Sequence, residues 1–202
     1  MLEPEHFIEI FLQPGDLYFG GQHTRIRTLL GSCVSLVIWH PHLRVGGMCH
    51  FMLPGRVRSP QTGLDGRYAD EAMELLLLDI GKMGARPSEY QLKIFGGGNM
   101  FPGIMRTDVS HIGFKNVQTA RELIARYGFT CVSEHVEGCG HRYLIFDIWS
   151  GFVSLRHRVL KANWEPVQLN TALLTPLDYM GLEPAAELPK RDPVTLSTRR
   201  KR

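Results

Sequence analysis

No apolar run in this chain approaches the roughly 20 residues that a membrane-spanning helix needs. The nearest, Met73 to Ile80, is broken by Glu74 and Asp79. The first residues, Met1-Leu2-Glu3-Pro4-Glu5, lack the basic start and apolar stretch of a secretory signal, so a cytoplasmic location is expected. There are only four cysteines and no CxxC pair, which argues against a disulfide framework and makes free thiols the default. No GxGxxG and no Walker lysine follows the glycines, which argues against a phosphate cradle. Net charge is small too: the formal value is +3, much of it in Arg199-Arg200-Lys201-Arg202, which reads first as a solvated tail, then as an electrostatic foot for an acidic partner, and least as a nucleic-acid surface. No internal repeat is visible.

What is present suits one soluble globular domain: 202 residues, 44% of them hydrophobic, enough to bury a core. Extended segments are expected at Phe7–Leu12, Leu17–Gly20, Ile26–Leu30, Val34–Trp39, Val45–Leu53, Gln91–Phe95, Phe129–Val136, Arg142–Trp149 and Phe152–Leu160. Helices are expected over Tyr68–Met83, with a core stripe of Ala72, Leu75, Leu76, Ile80 and Met83, and over Val117–Tyr127. Asp70 or a neighbour caps the first helix, and Gly84 and Gly128 end the two. Glu137 to His141 reads as a hairpin turn joining the strands on either side. Many strands with two helices between them indicate a mixed α/β domain, not a repeat array or a doubly wound parallel sheet. Gly55 to Gly66 reads as an exposed surface loop, with a mobile lid as the alternative, and the Gly96-Gly97-Gly98 run lets backbone approach another strand, a ligand or a catalytic loop. Trp164 and Leu169–Leu182 are expected to fold back on the domain, and the chain from about Pro184 onward to be disordered.

The chemistry concentrates on two neighbouring strands. Cys33 stands at the head of the Val34–Trp39 strand, and His50 lies within its partner. If His40 to Leu43 forms a tight turn, Trp39 lies opposite Arg44, Ile38 opposite Val45 and, carried down the hairpin, Cys33 opposite His50 on the same face. A free thiol, with a pKa of about 8.5, is mostly protonated at neutral pH; an adjacent imidazole takes its proton and stabilises the anion. Such a Cys33 is expected to react with iodoacetamide well below about pH 8 and faster than Cys49, Cys131 or Cys139. Backbone N–H groups of Ser32, Cys33 or Val34 are candidates for an oxyanion site. By default a cysteine in such a strand is an inert buried thiol and a lone histidine a satisfied core residue; it is their joint register that points to a thiol site. Cys49 faces the other way and reads as structural. A zinc site from Cys33, His50, Cys139 and His141 is the competing arrangement, though Cys139-Gly140-His141 is not a usual ligand spacing.

Four ordered motifs, Leu30-Gly31-Ser32-Cys33-Val34, Gly46-Gly47-Met48-Cys49-His50-Phe51-Met52-Leu53-Pro54, Lys93-Ile94-Phe95-Gly96-Gly97-Gly98-Asn99-Met100 and Ile112-Gly113-Phe114-Lys115-Asn116-Val117, closely resemble those of CheD, the chemoreceptor glutamine deamidase family of bacterial chemotaxis. The likeness runs from about Phe11 to Leu155. It implies residues 1–160 as a deamidase domain, with 161–202 as a C-terminal extension outside the likeness. It implies a layered α/β fold of packed mixed sheets with helices outside, similar to the catalytic domain of the cytotoxic necrotizing factor toxins. It further implies hydrolysis of glutamine side chains on methyl-accepting chemotaxis receptors, in their cytoplasmic helical region, with receptor methyl esters as a further substrate. No cofactor or metal is implied.

By the same likeness the family's nucleophilic cysteine falls on Cys33, its histidine on His50, and its third member, a threonine, on Thr28. Some members carry that threonine one residue further from the cysteine, where this chain has Arg27. Either a one-residue bulge then brings Thr28 into place, or another group orients His50. A non-catalytic chemotaxis adaptor that binds receptors or a CheC-type phosphatase is the alternative from another class, and a cysteine protease or transglutaminase would share the acyl chemistry.

Overall fold

The computed structural model describes residues 3–59, 61–101 and 111–160. The expectations for Trp164, Leu169–Leu182, the tail from Pro184 and the extension as a whole lie outside those residues. In chain order the elements are β1 (Ile8–Leu12), β2 (Leu17–Gly20), β3 (Thr24–Leu30), β4 (Val34–His40), β5 (Val45–Cys49), α1 (Ala69–Lys82), β6 (Gln91–Gly96), α2 (Ile112–Tyr127), β7 (Thr130–Val136), β8 (His141–Asp147) and β9 (Phe152–Arg158).

The strands form two sheets, a four-stranded one ordered β1-β3-β8-β9 and a five-stranded one ordered β2-β5-β4-β6-β7. Each mixes directions: β1 runs parallel to β3 and β6 parallel to β7, while the other neighbours are antiparallel. This is the expected layered α/β architecture. Both helices pack on the five-stranded sheet, where Ala72, Met73, Leu76 and Ile80 of α1 and Val117, Ala120 and Leu123 of α2 meet Val34, Leu36, Ile38, Leu92 and Ile94. On the sheet's other face Val37, Met48 and Phe95 meet Leu12, Ile26, Leu30, Leu144 and Phe146 of the four-stranded sheet. Strand β4 is therefore covered on both faces, and that is why it reads as a continuous apolar run and not as an alternating one.

Four local expectations are corrected. First, His40 belongs to β4 and pairs with Val45, so the turn is Pro41–Arg44; Trp39 lies opposite Gly46 and Ile38 opposite Gly47. The turn closes through Arg44 N–H to His40 O at 2.9 Å, with Arg44 at a φ of 53°. Second, β7 and β8 are not a hairpin, because they lie in different sheets. Glu137, Gly138 and Gly140 all take positive φ, which turns the chain from one sheet to the other. Third, the α1 N-cap is Tyr68, without a side-chain cap; Asp70 sits inside the first turn and accepts from the Glu71 N–H. Fourth, Met83 is the C-cap of α1 and 41% exposed, and Leu75 is only partly buried; the core stripe is Ala69, Ala72, Met73, Leu76 and Ile80. In addition α2 begins at Ile112, earlier than its apolar stripe suggests, and β5 ends at Cys49.

Candidate active site

Gly31, Ser32 and Cys33 carry the chain from β3 in one sheet to β4 in the other. Cys33 is half-buried and packs against the core between the sheets. Across β4 and β5 the pairing of Val37 with Met48 continues, without a slip, to Val34 with Phe51. That register sets His50 opposite Ser35, so the expected direct opposition of Cys33 and His50 is displaced. The displacement is two residues along the strand, an even step, and the period of two keeps both side chains on one face as diagonal neighbours. The backbone of His50 is held by β2's lead-in: its N–H donates to Asp16 O at 2.9 Å and its carbonyl accepts from Gly15 N–H at 2.7 Å.

His50 is 2% exposed. Its Nδ1 lies 2.8 Å from the hydroxyl of Thr28, which is fully buried on β3. No bulge brings Thr28 there. The pairing of Thr28 with Leu12 and with Leu144 is unbroken, and the strand's alternation points Ile26, Thr28 and Leu30 inward. Arg27 points the other way, to Glu9 at 2.8 Å.

Proton accounting fixes the tautomer. Thr28 Oγ1 also lies 3.0 Å from Leu12 O, a carbonyl that can only accept, so the one hydroxyl proton goes there. Thr28 therefore accepts from His50, and the proton on the neutral ring sits on Nδ1. Nε2 carries the free lone pair; it is buried and has no hydrogen-bond partner among the described residues. Burial holds the ring's pKa below its ordinary 6.5, the Leu12 carbonyl and Asp16 opposing this only in part, so the imidazole is neutral at neutral pH.

Burial also pushes the Cys33 thiol up, opposed by its own backbone N–H. Both shifts favour the uncharged forms, thiol and neutral imidazole, over a ready thiolate. Cys49 faces the helices within the core, fully buried, and its thiol is pushed up to about 12. Cys131 is exposed. His141 lies on the outer face of the four-stranded sheet beside Leu29 and Tyr143, away from the face that holds His50. Among the described residues no group of three or more His, Cys, Asp or Glu side chains is placed to hold a metal ion.

Of the three candidate oxyanion donors, Val34 N–H is already committed to Phe51 O at 3.0 Å. Among the described residues Ser32 N–H donates to no acceptor, and Cys33 N–H meets only its own sulfur. The glycine run approaches this loop: Gly97 N–H donates to Cys33 O at 2.8 Å and Gly98 N–H to Gly31 O at 2.9 Å. Gly96 has a φ of 117°, and a Cβ there would fall 2.2 Å from Cys33 O, so only glycine fits against the loop. Asn116, on the buried face of α2, also reaches the loop. Sequence reasoning assigned it no role, although a polar residue one turn before Ala120 on an apolar helix face was the available signal.

The family model described as CheD chemotactic sensory transduction matches residues 52–157. A protein of Dechloromonas aromatica named probable chemoreceptor glutamine deamidase CheD 3 is 50% identical over 152 residues, covering 75% of this chain and 89% of its own. One from Pseudomonas savastanoi pv. phaseolicola, named probable chemoreceptor glutamine deamidase CheD, is 47% identical over 163 residues, covering 80% of this chain and 92% of its own. Among solved structures, the hypothetical protein YfiH of Bacillus licheniformis aligns over 61% of this chain and 49% of that one, at 13% identity and a TM-score of 0.38.

Proposed function

The chain belongs to the CheD family of chemotactic sensory transduction proteins, and on that premise we propose that it hydrolyses glutamine side chains of chemoreceptors to glutamate and ammonia, with Cys33 as nucleophile, His50 as base and Thr28 as the group that orients the ring. The names of its relatives support the substrate. The observation that carries the mechanism is the buried Thr28–His50 hydrogen bond, which leaves Nε2 as the basic atom on the face shared with Cys33.

As Sγ of Cys33 attacks the glutamine Cδ, its proton passes to His50 Nε2. The carbonyl oxygen becomes an oxyanion held by the Ser32 and Cys33 N–H groups. The imidazolium then gives that proton to the departing nitrogen, the C–N bond breaks, ammonia leaves and a thioester remains. Water attacks the thioester as Nε2 takes its proton, and the second tetrahedral intermediate expels the Cys33 sulfur, which recovers the proton. No step needs a metal or an organic cofactor. A glutamate methyl ester would meet the same chemistry with methanol as the leaving group. The active unit is residues 1–160, working in the cytoplasm on the helical region of the receptor.

The test is site-resolved mass spectrometry of a receptor cytoplasmic fragment incubated with the full chain. Particular glutamines should gain the mass difference between amide and acid. A fragment left unchanged over many hours, with the protein folded, would refute the proposal and favour a binding role.

A further inference from the structure

The motif Ile112-Gly113-Phe114-Lys115-Asn116 lies outside the mechanism just given, yet its last residue spans the site. Asn116 is fully buried, and its Nδ2 donates to Ser32 O at 3.2 Å and to Met52 O at 2.8 Å. Both acceptors are carbonyl oxygens, so the amide edge that faces them must be the nitrogen. One side chain on α2 thus joins the loop that carries Cys33 to the strand end that follows His50. Its Oδ1 is buried without a partner among the described residues. An apolar residue at 116 would cover the same helix face without burying an unpaired acceptor.

The bond to Ser32 O does more than tie two segments together. In a trans peptide the C=O and N–H point in opposite directions, and among the described residues no peptide is cis. Holding Ser32 O toward α2 therefore turns the Cys33 N–H away from α2, toward the inter-sheet face where the thiol packs. The peptides on either side are pinned by their carbonyls too, Gly31 O by Gly98 N–H and Cys33 O by Gly97 N–H. Three consecutive carbonyls are anchored, while among the described residues the Ser32 N–H has no acceptor and the Cys33 N–H meets only its own sulfur.

We propose that Asn116 is a positioning residue that presets the Ser32–Cys33 peptide as an oxyanion donor. This rests on the deamidase reading above. Its effect falls on the tetrahedral intermediate and not on the reactivity of the thiol itself.

Two measurements separate these. Deamidation passes through an oxyanion, whereas alkylation of Cys33 by iodoacetamide does not. For Asn116→Ala, kcat should fall by about 10²- to 10³-fold, as for loss of an oxyanion donor, with KM changed by less than about threefold. The rate of Cys33 alkylation and its pH profile should stay within about threefold of the parent protein. A kcat close to that of the parent would overturn the proposal. So would alkylation that falls in step with kcat, because Asn116 would then merely seat the thiol. Should Asn116→Ala fail to fold, Asn116→Ser, which keeps one donor, gives the same split with a smaller loss of kcat, and an unchanged kcat there overturns it equally. Cys33→Ala is run alongside: if it still deamidates, the reading beneath this proposal fails, whereas an inactive Cys33→Ala beside a fully active Asn116→Ala removes only the role of Asn116.

Discussion

The hydroxyl of Thr28 lies 2.8 Å from Nδ1 of His50, joining the two sheets through one buried hydrogen bond. Because the hydroxyl spends its proton on Leu12 O, the contact dictates which ring nitrogen is basic. A threonine is thereby sufficient where other triads use a carboxylate, provided that its hydroxyl has another acceptor.

Thr28→Val keeps the shape and removes the acceptor. Nδ1–H is then buried unpaired, at a cost of about 1–3 kcal/mol, and the ring is free to take the other tautomer. We expect kcat to fall by about 10- to 100-fold with KM nearly unchanged, part of the usual contribution of a general base. Thr28→Ser, which keeps the hydroxyl, should recover most of the activity. Steady-state ammonia release on a receptor fragment measures both.

The pH profile follows from the two shifts. Activity needs neutral His50, whose pKa is held below 6.5 by burial, so the acidic limb of kcat/KM should lie below 6.5. The Cys33 thiol is raised above the ordinary thiol range by burial, so the alkaline limb should lie above that range, with a broad plateau between. A resting thiolate–imidazolium pair would instead give an acidic limb set by ionisation of the thiol, several units lower.

The same lowered pKa makes stability depend on pH. Below 6.5 an unfolded His50 binds a proton that the folded ring resists, so the unfolded state gains protons and stability falls as pH drops through the window between 6.5 and the folded pKa. Above 6.5 the contribution is fully present. His135, lowered mainly by burial and then by Arg142, acts in the same direction. Melting temperature should therefore decline below 6.5, and less steeply in His50→Gln than in the parent.

Much of the fold was legible in the sequence, because β-branched runs and helical stripes mark elements that bury one face or two. Strand β4 and the core of α1 are examples. Pairing was less legible. The Pro41–Arg44 turn depends on Arg44, a non-glycine residue, taking a positive φ, which residue type does not announce. The Glu137–Gly140 segment has the composition of a hairpin but spends its positive φ angles on a change of sheet. At the site, Cys33 and His50 share a face despite the shifted register because the strand period forgives an even displacement. Which face Thr28 presents follows from plain alternation in β3, and its partner became visible only once the two sheets were stacked.

The glycine run should be intolerant of any side chain. In Gly97→Ala the φ of 67° is retained and the new Cβ falls 2.4 Å from Val117 Cγ2 and 2.8 Å from Gly113 O. Backbone strain of about 1 kcal/mol and overpacking of about 1–3 kcal/mol should together lower stability by several kcal/mol in denaturant unfolding. Gly63→Ala, with nothing within 4 Å of its Cβ position, should be nearly neutral.

The most direct test is to follow ammonia release from a receptor cytoplasmic fragment with the parent chain and with Cys33→Ala, using a binding assay to show that both still engage the fragment. The account predicts that Cys33→Ala binds and releases no ammonia above the uncatalysed background. Undiminished release by Cys33→Ala would contradict it.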